Sequence, residues 1–145
     1  MSLVIVMCGR KYPKSPEEIT ANVVTVIIEK DGKFVIFQEM YELLETYPNR
    51  KIILTGANDE QQEKFGLNNV PYQFFTLKHN PEKTDPEYYK IMLEKFNLNK
   101  DGVIYFEHDA NAVKSAETVG INTYYYDNDK KDLKGLKKFL DENLK

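Results

Sequence analysis

Residues Val23-Val24-Thr25-Val26-Ile27-Ile28 run together without the polar–apolar alternation of a half-solvated strand, and the run closes on Glu29, Asp31 and Gly32. A β-branched run of that kind suits a strand covered on both faces, as in a parallel α/β sheet. Ligands of such sheets sit just beyond the carboxyl ends of the strands. The run predicts a central strand over 23–28 whose carboxyl end presents Glu29 and Asp31, with Gly32 turning the chain away. A solvated turn after a strand is the plainer reading of Glu29-Lys30-Asp31-Gly32 taken alone.

Downstream, apolar runs and helical patterns alternate. Ile36, Met40, Leu43, Leu44 and Tyr47 share one helical face, and Pro48-Asn49 stops that helix. Ile52-Ile53-Leu54 predicts a strand ending at Thr55-Gly56, followed by a short helix over 60–65 capped by Asn58 or Asp59 and stopped by Gly66. A weaker strand or loop segment spans 70–77. Asp85-Pro86-Glu87 opens the next helix with a cap, a first-turn proline and an acid. Val103-Ile104-Tyr105-Phe106 is a buried strand that runs into Glu107-His108-Asp109, and Gly120 stops the helix after it. A last strand over 121–126 precedes a helix carrying Leu133, Leu136, Leu140 and Leu144.

This βαβα order predicts a single α/β domain over 1–145: a three-layer Rossmann-like fold, mainly parallel, with helices on both sheet faces. Residues 23–126 form the core of the reading and 127–145 its C-terminal helix. Residues 1–22 read as an N-terminal extension or edge strand, with Leu3 to Met7 extended and Ser15-Pro16-Glu17-Glu18 starting a short helix.

Three predicted strands end in polar groups: Glu29 with Asp31, Thr55, and Glu107 with His108 and Asp109. Lys83 precedes a helix, within reach of the same sheet edge. Carboxylates, a hydroxyl and a lysine at one edge suit a phosphoryl group with a hard cation, which oxygen ligands hold. Each residue also has a plainer role: Thr55 as a cap, Lys83 as a surface lysine, His108 as an ordinary loop residue. His79 reads as a surface histidine, and Asn111 as a cap or a site-lining residue.

The order and spacing resemble the haloacid dehalogenase-like superfamily, mostly phosphohydrolases, over about residues 23–126. Its first motif, a strand ending Asp-x-Asp-Gly, is matched by Ile28-Glu29-Lys30-Asp31-Gly32. The second, a strand ending in Thr or Ser, is matched by Leu54-Thr55-Gly56, and the third, a lysine ahead of a helix, by Lys83-Thr84-Asp85-Pro86-Glu87. The fourth, paired acids after a strand, is matched in frame by Glu107-His108-Asp109. From Glu29 the four follow at intervals of 26, 28 and 24 residues, too close for a cap domain.

The resemblance implies a capless phosphohydrolase-type site. Glu29 stands at the nucleophile's place, Asp31 is the general acid and base, and Thr55 and Lys83 hold phosphate. Mg²⁺ is held by Glu29, Asp31, Glu107 and Asp109. It also implies a phosphorylated small molecule or macromolecule as ligand. Two departures stand out: Glu29 where the family has Asp, and His108 where it has the second acid. The extra methylene displaces the attacking oxygen by about 1.5 Å, a C–C bond length, and a misplacement of about 1 Å costs roughly a hundredfold. A catalytically inactive binding or scaffolding module is the alternative. A receiver-like signalling domain fits less well, because its lysine belongs at a strand end.

A net charge of −3 with basic residues spread along the chain argues against a nucleic-acid or anionic-membrane surface. The single cysteine, Cys8, excludes an internal disulfide and suits a reducing compartment as a small buried side chain. Without a signal-like segment or an apolar run of spanning length, a cytoplasmic protein is expected.

Overall fold

The structure is a computed structural model that describes residues 2–6, 27–31, 33–127 and 129–144. Strands β1 (Ser2–Val6), β4 (Lys51–Thr55), β5 (Gln73–Thr76), β6 (Val103–Glu107) and β7 (Asn122–Tyr125) form one sheet in the order β5-β4-β1-β6-β7. Every pairing in it is parallel. Among the described residues five α-helices accompany it: α1 (Gln38–Glu45), α2 (Asp59–Lys64), α3 (Pro86–Lys95), α4 (Ala110–Val119) and α5 (Leu133–Asn143).

Strand alternation divides the core between the two faces. Ile53, Ile104 and Phe106 pack with Met40 and Leu44 of α1 and with Leu136 and Leu140 of α5. Ile52, Leu54, Val103 and Tyr105 point the other way, against Tyr88, Tyr89 and Met92 of α3 and Ala116 of α4. Full burial of each such Leu or Met side chain contributes about 2–3 kcal/mol. The helix stops follow the chemistry of their residues: Gly66 (φ 70°) and Gly120 (φ 95°) both adopt the left-handed conformation that glycine allows.

The first strand departs from expectation. The central strand is β1, whose Val4 pairs with both Ile52 and Tyr105, so the segment expected as an extension or edge strand organises the sheet. The run expected as the central strand supplies Ile27–Lys30 instead. These residues form β2, paired antiparallel with β3 (Lys33–Ile36) in a two-stranded sheet of their own. An unalternating apolar run states burial but not strand order, and Lys30 pairs with Lys33 across a turn that includes Asp31. Asp31 (φ 53°) takes the left-handed conformation that such a turn requires. The rest of the run, at 23–26, and the helix start at Ser15 lie outside the described residues, as does Cys8.

Ile36 was expected on the first helix and instead ends β3, although it still packs against the core. The buried Phe37 joins the hairpin to α1, which hands the chain on to β4. No described helix is long and apolar enough to cross a membrane.

Candidate functional site

Lys83 is the centre of the carboxyl edge. Its loop follows β5 and ends where Asp85 caps α3 by accepting from the Glu87 N–H (2.9 Å). From there the side chain runs inward and is 3% exposed. Nζ lies 3.1 Å from Glu107 Oε2 on β6 and donates over 3.4 Å to the Leu54 carbonyl on β4. Those strands flank β1, about 9.5 Å apart at two strand spacings. The ammonium therefore spans the gap at the carboxyl end of the central strand.

Glu107 shares the sheet face of Tyr105 and lies against α3 and α4. Its Oε2 accepts from Lys83 and from the Tyr105 hydroxyl (3.0 Å), and its Oε1 accepts from the Asp109 N–H (3.2 Å). Complete burial pushes its carboxyl above the ordinary value of 4.5, against the opposing pull of Lys83, Tyr105 and the Asp109 N–H. Burial also raises the Tyr105 and Tyr89 hydroxyls well above 10, with the Glu107 charge adding to the effect. Tyr88, beside them, donates to the Thr55 and Phe75 carbonyls at 2.8 and 3.1 Å. These buried hydroxyls fix the ends of β4, β5 and β6.

Thr55 is buried at the end of β4, and its Oγ1 accepts from the Ala57 N–H (3.1 Å). Asp109 Oδ1 accepts from the N–H groups of Asn111 and Ala112 at the start of α4. Asp109 thus takes the capping role that the sequence left open for Asn111. The carboxyl edge gathers Thr55, Lys83, Glu107 and Asp109. It does not gather Glu29 and Asp31 as strand-end neighbours, because Glu29 pairs with Phe34 within the hairpin and Asp31 is exposed at its turn. Val6, the last described residue of β1, is followed in sequence by Met7-Cys8-Gly9, which contains no carboxylate.

Glu107 accepts from three donors and Asp109 Oδ1 caps a helix, and among the described residues no group of three or more His, Cys, Asp or Glu is arranged to hold a metal ion.

His79, expected at the surface, is partly buried beside this edge. Its Nδ1 lies 3.1 Å from Glu82 Oε1 and its Nε2 lies 2.8 Å from Gln61 Oε1 of α2. A Cβ on Gly56 would sit 3.2 Å from His79 Nδ1, so the glycine after Thr55 admits the ring. The sequence signal for this contact was a histidine three residues before an acid, immediately ahead of Lys83. For Tyr105 the signal was its position two residues before Glu107 on one strand.

No protein-family model and no curated protein matches the sequence. Solved structures do match the fold. A HAD-family enzyme from Bacteroides thetaiotaomicron, a point mutant in complex with magnesium and inorganic phosphate, matches at a TM-score of 0.54 and 18% identity. The match covers 65% of this chain and 55% of that one. A HAD-superfamily hydrolase of subfamily IA from Geobacter sulfurreducens matches at 0.51 and 19% identity, covering 64% and 47%. The chain thus spans about half the length of these two. The core domain of a proposed phosphoglycolate phosphatase from Streptococcus pneumoniae matches at 0.53 and 13% identity, covering 97% and 94%. The chain has the α/β fold of the haloacid dehalogenase-like hydrolases and phosphatases.

Proposed function

We propose that this haloacid dehalogenase-like fold binds a phosphoryl group, as a phosphorylated small molecule or macromolecule, at the carboxyl edge of its sheet. The observation that carries the reading is the Lys83 ammonium bridging Leu54 and Glu107 across the end of β1. A fixed cation in a water-poor site favours an oxyanion far more than a surface lysine does. Thr55, next along β4 from Leu54, supplies a hydroxyl at the same edge. The reading needs no metal, and it corresponds to a binding module on a hydrolase fold.

Hydrolysis of a phosphomonoester is the second reading, and the hydrolase and phosphatase structures that share the fold favour it. Glu29 and Asp31 lie on the hairpin ahead of α1 rather than at a strand end of the five-stranded sheet. In this reading a carboxylate of the hairpin attacks phosphorus, or activates the water that does, while Lys83 and Thr55 hold the phosphoryl oxygens.

One experiment separates the two. Tungstate binding and Mg²⁺-supplemented hydrolysis of an aryl phosphate are measured on the native chain, Lys83→Met, Glu29→Asp and Asp31→Asn. A binding module takes up tungstate in all but Lys83→Met and hydrolyses nothing. A hydrolase turns over in the native chain or in Glu29→Asp, and loses turnover in Asp31→Asn. Native protein that neither binds nor hydrolyses refutes both readings.

A further inference from the structure

Helix α4 carries one hydroxyl among the small apolar residues of its buried side, Ser115 beside Ala112, Val113 and Ala116. Ser115 is 7% exposed. A serine inside a helix often turns its hydroxyl back to a carbonyl of the preceding turn. Ser115 instead directs Oγ out of the helix, to the Thr84 carbonyl at 2.5 Å, 31 residues away in sequence. A carbonyl only accepts, so the single proton of the serine is committed to that contact.

The place of the acceptor gives the contact its meaning. The Asp85 N–H donates to the Glu82 carbonyl at 3.0 Å, which closes a turn with Lys83 and Thr84 as its two central residues. Asp85 then caps α3, and Pro86 opens it. The hydrogen-bond ladder of α3 begins at the Asp85 carbonyl, which accepts from the Tyr88 N–H (3.0 Å). The Thr84 carbonyl lies one residue ahead of that ladder, and its donor comes from α4 instead. Lys83 leaves the backbone inside this turn, and its ammonium ends on Glu107 and the Leu54 carbonyl. A lysine stem is long and flexible, so a defined ammonium position needs a fixed starting point.

We infer that Ser115 is a positioning residue for Lys83: its hydroxyl clamps the turn over 82–85 to α4 and fixes where the lysine sets out toward the end of β1. The same helix steadies the other half of the pair. Tyr89 Oη lies 3.3 Å from both the Ala112 carbonyl and Tyr105 Oη, and Tyr105 in turn donates to Glu107 (3.0 Å). α4 thus holds the lysine through Ser115 and the carboxylate through the tyrosines. The fold itself gains little from the hydroxyl. Alanine, the residue at 112 and 116, is the better helix former, and that preference offsets part of the bond an alanine at 115 would lose. The clamp rests on the reading of Lys83 as the oxyanion-binding group.

The test compares the native chain with Ser115→Ala and Ser115→Thr. Tungstate affinity is measured beside thermal unfolding, and the Lys83 ammonium is followed by NMR without ligand, its signal identified by its loss in Lys83→Met. Ser115→Ala is expected to bind tungstate about five- to tenfold more weakly, the worth of one hydrogen bond. Its melting temperature is expected to stay within about 2 °C of native, while its ammonium signal shifts and exchanges faster with water. Ser115→Thr keeps the hydroxyl and is expected to restore affinity and signal. Native affinity and an unmoved ammonium signal in Ser115→Ala overturn the clamp and leave oxyanion binding standing. A threonine variant as stable as native that binds as weakly as alanine also overturns it. An ammonium signal that responds to Ser115→Ala, in a native chain that takes up no tungstate, supports the clamp and refutes the oxyanion reading.

Discussion

Lys83 Nζ and Glu107 Oε2 stand 3.1 Å apart, 24 residues apart in sequence, with side chains only 3% and 0% exposed. Such a pair attracts strongly, yet each ion has also lost its hydration, so the net contribution of the pair is far smaller than the cost of breaking it. Here the remaining demands of the carboxylate are met by Tyr105 and the Asp109 N–H. A fully satisfied polar group of this kind fixes the ends of β4 and β6 relative to each other.

Breaking the pair from either side is therefore expected to cost about 3–5 kcal/mol, because each single variant strands a buried charge or its donors. Lys83→Met leaves Glu107 without its counter-ion, and Glu107→Gln leaves Lys83 without one. The double variant Lys83→Met/Glu107→Gln removes both charges and is expected to be more stable than either single variant. Denaturant unfolding of the four proteins measures the coupling. Costs that simply add would show that the two side chains do not interact in solution.

Glu107 also sets a pH dependence of stability. Burial raises its carboxyl above 4.5 in the folded chain, so between 4.5 and that raised value the folded state holds more protons than the unfolded state. Stability conferred by this group is greatest below 4.5 and falls as pH rises through the window. Paired surface carboxylates such as Asp141, held low chiefly by its hydrogen bond from Lys137, act in the opposite direction. The informative quantity is the difference between native and Glu107→Gln protein in urea midpoint against pH. That difference is expected to change in favour of the variant as pH rises, and a flat difference would contradict the raised carboxyl.

The parts of this site that the sequence made legible are those fixed by local chemistry. Asp85-Pro86-Glu87 marked the start of α3, Gly120 the end of α4, and the apolar runs at Ile52 and Val103 gave two strands at their true places. Strand order was not legible, since it depends on which run lies between two others, and Leu3-Val4-Ile5-Val6 and the run ending at Ile28 carry the same apolar signature. Only pairing partners distinguish them. The frame of four motifs therefore began on the wrong strand while its later members, Thr55, Lys83 and Glu107, fell together. His79 was legible only in its local spacing to Glu82, because its other partners, Gln61 and Gly56, come from another strand–helix unit.

Asp109 separates capping from metal binding. Its Oδ1 accepts from Asn111 N–H at 2.8 Å and Ala112 N–H at 3.3 Å, and an asparagine oxygen can accept from both just as well. Asp109→Asn is expected to keep the native melting temperature and tungstate affinity. Asp109→Ala is expected to lose about 1 kcal/mol, roughly 2–4 °C in a chain of this size. If Asp109 instead ligates a metal, Asp109→Asn weakens Mg²⁺ binding sharply with its stability intact, and magnesium titration of the two variants shows which holds.

Gly56 tests how finely the Lys83 loop is seated. Its backbone does not occupy the left-handed region, so an alanine there is not strained by conformation; the difficulty is contact. The added Cβ would lie 3.2 Å from His79 Nδ1, 3.4 Å from Cε1 and 3.7 Å from Glu82 Oε2, so the ring must shift by a few tenths of an ångström. The ring is held on its two nitrogens by Gln61 and Glu82, and displacing it lengthens both bonds or moves the loop. Gly56→Ala is expected to cost about 1 kcal/mol, at the low end for overpacking because the loop is partly exposed. It is also expected to weaken tungstate binding several-fold, more than its effect on global stability implies. Calorimetry of tungstate binding beside thermal unfolding checks this. Loss of stability with native affinity would mean that the seat of His79 on Gly56 supports the fold without positioning Lys83.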